Sequence, residues 1–365
     1  MADFYEETLR DLIAIPSLSG EEGQVAAYIY DFLKANNIDA ERDPSGNVVA
    51  VVGEGEQVLH INGHMDTVRP VATWTLDPFK PVVKDGRLYG LGASDMQSGL
   101  AVMMDLARKV RPGVKTVFSF TVCEEGSGAG GRNNGVAALL KEWDGDWAIT
   151  TEGSSVDGIV TLGLGSQGHT VAVLRVKGVS AHSSRPEDGT NAIELAAEIV
   201  RRARALNDSY DEVPIFDEIV GRPTVAATLI QGGSASNIIP DSCELTLSRR
   251  LAPGEDRAKF ERELDDLTAG LDVKVDIRGG DPAACVDVNG RLFQVAREAS
   301  RKTLGVERYS FSRGRMDLVL FTRKGMDVLN IGPGTMGQAH VADEWCRLED
   351  MPAAAGLLEE IINTL

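Results

Sequence analysis

Two short β-branched runs, NVVAVVG (47–53) and QVLHIN (57–62), have the length and composition of buried strands. TVFSFTV (116–122) and WAITT (147–151) read the same way. Between these pairs, MQSGLAVMMDLARKV (96–110) places Leu100, Met103, Met104 and Ala107 on one helical face. A helix-like segment separates TVFSFTV from WAITT. Strands alternating with helices predict an α/β sheet with helices on its faces.

Between about Gln167 and Ile277 the pattern changes. HTVAVLRVKG (169–178) alternates like a strand with one buried face. TNAIELAAEIVRRARAL (190–206) is an amphipathic helix with Ile193, Ala196, Ala197 and Val200 in phase. TVAATLIQ (224–231) and CELTLSRR (243–250) are strands, and Pro253 is expected to open a helix carrying Phe260, Leu264 and Leu267. LDVKVDI (271–277) closes the set. The order β-α-β-β-α-β is the ferredoxin-like pattern of an α+β insert. The tail resumes the first pattern, with helix 289–304, strand MDVLNIG (326–332) and helix 350–364. The expected division is 1–166, an insert at 167–280, and 281–365.

Composition narrows the possibilities. A chain of 365 residues is long for one core, in keeping with two domains. Hydrophobic residues make up 43% and charged residues 25%, ordinary values for a globular protein. No apolar run approaches the roughly 20 residues of a membrane helix. The start, MADFYEETLRDLIAIPS, is acidic and lacks the basic region of a signal peptide, so a cytoplasmic protein is expected. A net charge of −18 argues against nucleic acid and anionic membranes as partners. Cys123, Cys243, Cys285 and Cys346 lack paired metal spacing and read as reduced thiols.

The stretch VLHINGHMDTV (58–68) ends an apolar strand in His64 and Asp66. Taken alone, His64 is a surface or capping residue, Asp95 the cap of its helix, and Glu124–Glu125 a solvated loop. Glu152 follows a strand, and His340 lies in the glycine-rich NIGPGTMGQAH. These positions follow strands or precede a helix, where loops of an open α/β sheet converge on one crevice. Together they suggest a metal site. His60, mid-strand, and His169 read as structural.

These segments resemble a known family. His64-Met65-Asp66, GLGASDMQSG around Asp95, and Glu124-Glu125-Gly126 look like motifs of the zinc aminoacylase and carboxypeptidase family. So do Glu152, GVSAHSSRPEDGTNAI (178–193), GGSASNIIPD (232–241) and GPGTMGQAH (332–340). The likeness runs in order along essentially the whole chain. It implies a zinc-peptidase-like α/β catalytic domain, 1–166 and 281–365, with a ferredoxin-like α+β lid and dimerisation domain inserted at 167–280.

The resemblance also implies roles. His64, Asp95 and Glu152 match the ligands of one zinc ion, and Asp95, Glu125 and His340 those of a second, with Asp95 bridging. Two ions per chain are implied, with cobalt or manganese admissible at carboxylate-rich sites. Asp66 matches the residue that orients His64, and Glu124 the general base. His182 matches a residue that binds the reacting carbonyl oxygen in the partner subunit of a homodimer. Asn237 and Arg250 match substrate contacts. The implied substrate is a small N-acyl amino acid, with the desuccinylase or deacetylase branch ahead of a dipeptidase or carboxypeptidase. A metal-bound binding protein without catalysis is the reading from another class. The chain departs from the family in four segments: Gly153 stands in place of proline, and Gln97-Ser98 in place of Lys-Gly. Ser166-Gln167-Gly168 replaces an arginine-containing turn, and SRGRMD (312–317) keeps Asp317 but places Arg313 and Arg315 shortly before it. The paired arginines suggest an acidic acyl group or a free carboxylate.

Overall fold

The computed structural model describes residues 2–126 and 134–365. By internal contacts these form two compact units. One comprises Met1–Gly165, Cys285–Ser312 and Met316–Leu365; the other comprises Ser166–Ala284 with Arg313–Arg315.

In the first unit the main sheet is mixed. Four of its strands run parallel, in the order Lys115–Thr121, Val58–His64, Trp147–Thr150, Asp327–Asn330. Val58–His64 and Lys115–Thr121 are buried over almost their full length, and Trp147–Thr150 over all of it. Continuous burial is the signature of strands covered on both faces, which explains the unbroken apolar runs. Val48–Val52 extends the sheet antiparallel beyond Lys115–Thr121, and Asp39–Arg42 lies outside it. The helix Gln97–Lys109 lies between two of the parallel strands in the chain, with residues 97–107 buried.

Three described helices were not expected from the sequence, Leu318–Arg323 and two near the start of the chain. Ala2–Ala14 and Gly23–Ala35 precede the first strand. Their signal is helical spacing: Leu9, Leu12 and Ile13 in one, and Val25, Ala26, Ile29 and Leu33 in the other, are all buried. A three-stranded sheet also went unseen, in the order Trp345–Arg347, Arg87–Tyr89, Val82–Lys84. Its strands have three residues each, too short for a period-two pattern.

The second unit has a four-stranded antiparallel sheet, ordered Thr224–Gly232, Ser242–Leu251, Gly168–Lys177, Val273–Asp281. That is ferredoxin-like strand order. Leu174, Leu245 and Leu247 form one core with Ala196 and Ile199 of helix Ala192–Ser209 and Phe260 and Leu264 of helix Arg257–Thr268. Ser242–Leu251 mostly alternates between exposed or half-buried and buried positions, as a sheet covered on one face requires. The expectation that Pro253 opens the second helix is corrected. That helix begins at Arg257, and the Asp256 carboxylate caps it by accepting the Lys259 N–H at 2.9 Å. Arg249 is fully buried and bonded to Glu255 and Glu263, which ties the strand to this helix.

Candidate metal centre

The carboxyl ends of the parallel strands carry the candidate ligands. Val58–His64 ends on His64 itself. Glu124 and Glu125 follow Lys115–Thr121, and Glu152 follows Trp147–Thr150. Asp95 stands in the turn before helix Gln97–Lys109, and His340 in the loop beyond Asp327–Asn330. Strands so fully buried are rigid mounts, and their ends converge as loops of an open sheet do.

Ligand atoms of His64, Asp95 and Glu152 all lie within 4.8 Å of one another, and so do those of Asp95, Glu125 and His340. Asp95 is common to both groups. Its Oδ1 lies 3.2 Å from His64 Nε2, and its Oδ2 lies 3.7 Å from His340 Nε2. His340 Nε2 also lies 2.9 Å from Glu125 Oε1. His64, Glu124 and Glu125 form a third such group.

Asp66 meets the His64 ring chiefly through its main chain. His64 Nδ1 donates to the backbone carbonyl of Asp66 at 2.9 Å, while the nearer carboxylate oxygen is 3.7 Å away. The ring is therefore held by main chain, which leaves Nε2 toward Asp95. The Asp66 carboxylate serves the neighbouring loops instead. It accepts the Glu124 and Glu125 N–H groups at 3.0 and 3.1 Å and the Ser19 hydroxyl at 2.6 Å.

Crowding of charge shapes the titrations. Burial disfavours the His64 cation, yet its hydrogen bond to Asp95 and the charges of Asp95, Asp66 and Glu124 carry its pKa well above the ordinary value. Burial and then the Glu124 charge push Glu152 well above the usual carboxylate range. The Glu125 hydrogen bond raises His340 to about 9. Burial works to raise Asp95, but His64 holds it low.

Glu152 is firmly held despite Gly153. Asn330 Nδ2 donates to the Glu152 carbonyl at 3.1 Å, and Thr151 and Ser154 N–H groups bond to Asn62 and Gly332 carbonyls. A Cβ at position 153 would stand 3.0 Å from the backbone of Gly334 and Thr335, so the two chains approach closely here. Gln97 is buried, its amide bonded to Ser17 Oγ. His60 is buried and packs on Phe321, as a structural residue does.

Sequence reading missed Glu344. It is buried, and its carboxylate accepts backbone N–H groups from Gly92, Ser94 and Asp95 at 2.9, 2.7 and 2.9 Å. Burial and the charge of Asp95 push it up to about 8. Its signal in sequence was faint: an acid four residues after a candidate ligand, with no motif around it.

His182, Asn237 and Arg250 lie in the second unit. The strands Ala181–His182 and Ile238–Ile239 pair, and Ser183 N–H donates to the Asn237 carbonyl at 2.9 Å, so His182 and Asn237 are neighbours. Arg250 lies opposite His169 across two strands, and Asp281 opposite His169 on the other side. Burial, then Arg250 and Arg315, lowers His169 to about 4. Arg315 pairs with Asp281 at 3.3 Å.

Residues 60–364 match the family description Peptidase family M20/M25/M40. The chain belongs to that family. A curated relative, succinyl-diaminopimelate desuccinylase of Stenotrophomonas maltophilia, is 30% identical over 380 residues, covering 97% of this chain and 97% of that protein. Among solved structures, a tripeptidase from Staphylococcus aureus superposes with a TM-score of 0.78 at 23% identity, covering 100% of this chain and 98% of that one. A Bacillus subtilis protein described as a dinuclear metal binding peptidase of the M20 family gives 0.73 at 18% identity, covering 99% and 97%. These two likenesses establish the zinc-peptidase-like α/β fold. The protein is a hydrolase of amide bonds, from a family that depends on metal.

Proposed function

We propose that the chain is a dinuclear zinc hydrolase that removes the acyl group from an N-acyl amino acid, as a desuccinylase or deacetylase. One observation carries this: Asp95 turns one oxygen to His64 and the other to His340. His64, Asp95 and Glu152 would hold one ion, and Asp95, Glu125 and His340 the other. Imidazole nitrogen and carboxylate oxygen suit zinc, and also admit cobalt or manganese. The charge balance fits as well: burial first, and then the charges of Glu124 and Asp95, push Glu152 toward protonation, and cations among these carboxylates would favour their ionised forms. When bound, such ions make water a stronger acid and polarise a carbonyl.

The other tasks fall to the chain's own groups. Glu124 takes a proton from the attacking water and returns it to the departing nitrogen. The Asp66 carboxylate fixes the backbone from which Glu124 projects. His182 Nδ1 accepts the Ser184 N–H at 3.1 Å, which places the ring proton on Nε2. That N–H is the donor an oxyanion requires. Asn237 and Arg250 engage the polar ends of the substrate, guanidinium pairing with carboxylate in two parallel hydrogen bonds. The 30% identity to a desuccinylase supports a dicarboxylic acyl group.

In the same reading the protein is a homodimer, with His182 acting in the partner's site. The strand Thr224–Gly232 supports it. Among the described strands it pairs only with Ser242–Leu251, and it exposes Leu229 and Ile230, 70% and 54% accessible. An exposed apolar edge is a template for another chain. A cytoplasmic setting belongs to the proposal, and the four free cysteines fit a reducing compartment. No helix among the described residues is long and apolar enough to cross a membrane.

The test is hydrolysis of N-succinyl-diaminopimelate, N-acetylornithine, other N-acyl amino acids and dipeptides, by metal-stripped and by zinc-reloaded protein. Zinc-dependent cleavage of an N-acyl amino acid supports the proposal. Cleavage of dipeptides alone moves the chain to the dipeptidase class. No turnover with two zinc ions bound leaves a metal-binding protein without this activity.

A further inference from the structure

We infer that Glu344 is a positioning residue for Asp95, holding the turn from which this carboxylate reaches both candidate ligand groups. The inference rests on the reading of Asp95 as a cation ligand.

The geometry is a cradle. Glu344 Oε2 accepts the Gly92 N–H, and Oε1 accepts the N–H groups of Ser94 and Asp95. Three converging donors leave the turn little freedom to rotate. Gly92 adopts φ +81°, and a Cβ there would stand 2.8 Å from Thr67 Cγ2, so this bend suits glycine. Glu344 is itself anchored. Its carbonyl accepts the Gly90 N–H at 3.0 Å, and the next residue, Trp345, pairs with Tyr89 in the three-stranded sheet.

The cradle also joins two ligand-bearing segments. Glu344 lies four residues after His340, whose φ is +61°, a conformation that most side chains disfavour. Asp343 adds a second tie in the same loop, accepting Thr75 N–H and Leu76 N–H at 2.9 and 3.0 Å. Ser94 Oγ accepts the Thr335 N–H at 2.8 Å from the loop leading to His340. Asp95 and His340 are thus placed by one connected set of hydrogen bonds. A carboxylate that serves two ions must hold both oxygens in register. Partners that orient ligands in this way change metal affinity or activity about 10–100-fold when removed.

The experiment uses the full chain with Glu344→Gln. A glutamine side chain keeps one acceptor oxygen but turns an NH2 group toward Gly92 N–H, or the reverse toward Ser94 and Asp95. Metal-stripped protein is titrated with Zn2+ and with Co2+, and the visible absorption of the cobalt form is recorded. Melting temperatures are taken with and without Zn2+. The expected result is cation affinity about 10–100-fold weaker, a changed cobalt spectrum, and a smaller zinc-induced rise in Tm. Asp343→Asn, which leaves the Asp95 turn tied, is expected to keep the wild-type affinity and spectrum. Glu344→Gln with wild-type affinity and spectrum overturns the inference, even if its Tm is low both with and without zinc. An equal loss in Asp343→Asn also overturns it, because general loosening of the loop would then suffice. If Glu344→Gln does not fold, Glu344→Asp is read by the same criteria, its shorter arm being unable to span all three donors. A wild-type chain that takes up no cation fails at the metal reading itself.

Discussion

The carboxylate of Asp66 accepts the backbone N–H of Glu124 at 3.0 Å. An acid two residues from one candidate ligand therefore fixes the main chain of the proposed base. Replacing Asp66 by Ala removes the acceptor for both the Glu124 and Glu125 N–H groups. A fully buried N–H left without a partner costs about 1–3 kcal/mol, and these two lie in a part-buried loop, so each costs less than that. Asp66→Ala is expected to lower both the urea midpoint and turnover. Asp66→Asn retains one acceptor oxygen, so it should recover part of the stability while remaining well below wild-type activity. Full activity in Asp66→Ala would remove Asp66 from the site.

Glu124→Gln tests the base directly. Glutamine keeps the volume and loses the proton acceptor. Turnover is expected to fall by about 10²–10⁴-fold, with zinc content per chain unchanged by atomic spectroscopy. A variant that loses metal along with activity would show Glu124 to be a ligand, a role its place beside His64 and Glu125 also permits.

Much of this arrangement was legible in the sequence because the mounts are buried on both faces. Val58–His64 and Lys115–Thr121 read as apolar runs with polar groups immediately after them, and those groups meet in space. The helix Gln97–Lys109 was visible from its buried face, and its boundary lies within a residue of the expected one. What stayed hidden was tertiary. The acceptor role of Glu344 depends on contacts about 250 residues away in sequence, which no local pattern encodes. The hydrogen bond from His64 to the carbonyl of Asp66, rather than to its side chain, depends on how the chain turns after the strand. Pro253 misled because proline suits both a helix start and the turn before one, and the cap fell to Asp256.

Asp95 and His64 are expected to differ in their effect on metal content. Asp95 belongs to both ligand groups, and His64 shares only one of the two that contain Asp95. His64→Ala should retain one tightly held zinc ion per chain, whereas Asp95→Ala should hold neither tightly. Zinc stoichiometry after dialysis against a weak chelator reads the difference. Equal loss in the two variants would argue against a bridging Asp95.

His60 makes stability depend on pH in a known direction. Burial lowers its pKa below 6.5; the carbonyl hydrogen bond and charge of Asp144 oppose this, and Lys115 adds to it. Its Nε2 donates to the Asp144 carbonyl at 3.2 Å, while Nδ1 is buried with no partner among the described residues. The folded state keeps the ring neutral, and the unfolded chain takes up a proton as pH falls through about 6.5. The contribution of His60 is thus fully present above that pH and is lost as pH falls toward the lower folded pKa. Urea midpoints at pH 7.5 and 5.5 should differ more in the wild type than in His60→Gln, which keeps a donor for Asp144. Equal pH sensitivity in both proteins would assign the dependence to other groups.

The edge strand offers the clearest test of assembly. Leu229 and Ile230 are exposed on Thr224–Gly232, a strand with one described neighbour. An unprotected apolar edge of this kind invites pairing with a second copy, and charge placed on it opposes that pairing. On the homodimer proposal the wild type should run as a dimer by light scattering and the double variant Leu229→Lys, Ile230→Glu as a monomer, with an unchanged far-ultraviolet spectrum. If His182 acts across the dimer, the monomeric variant should bind zinc normally and lose turnover. Mixing His182→Ala chains with Glu124→Ala chains should then restore part of the activity, because one of the two sites in each mixed dimer has both groups intact. A monomeric variant with full turnover would place the oxyanion donor within a single chain.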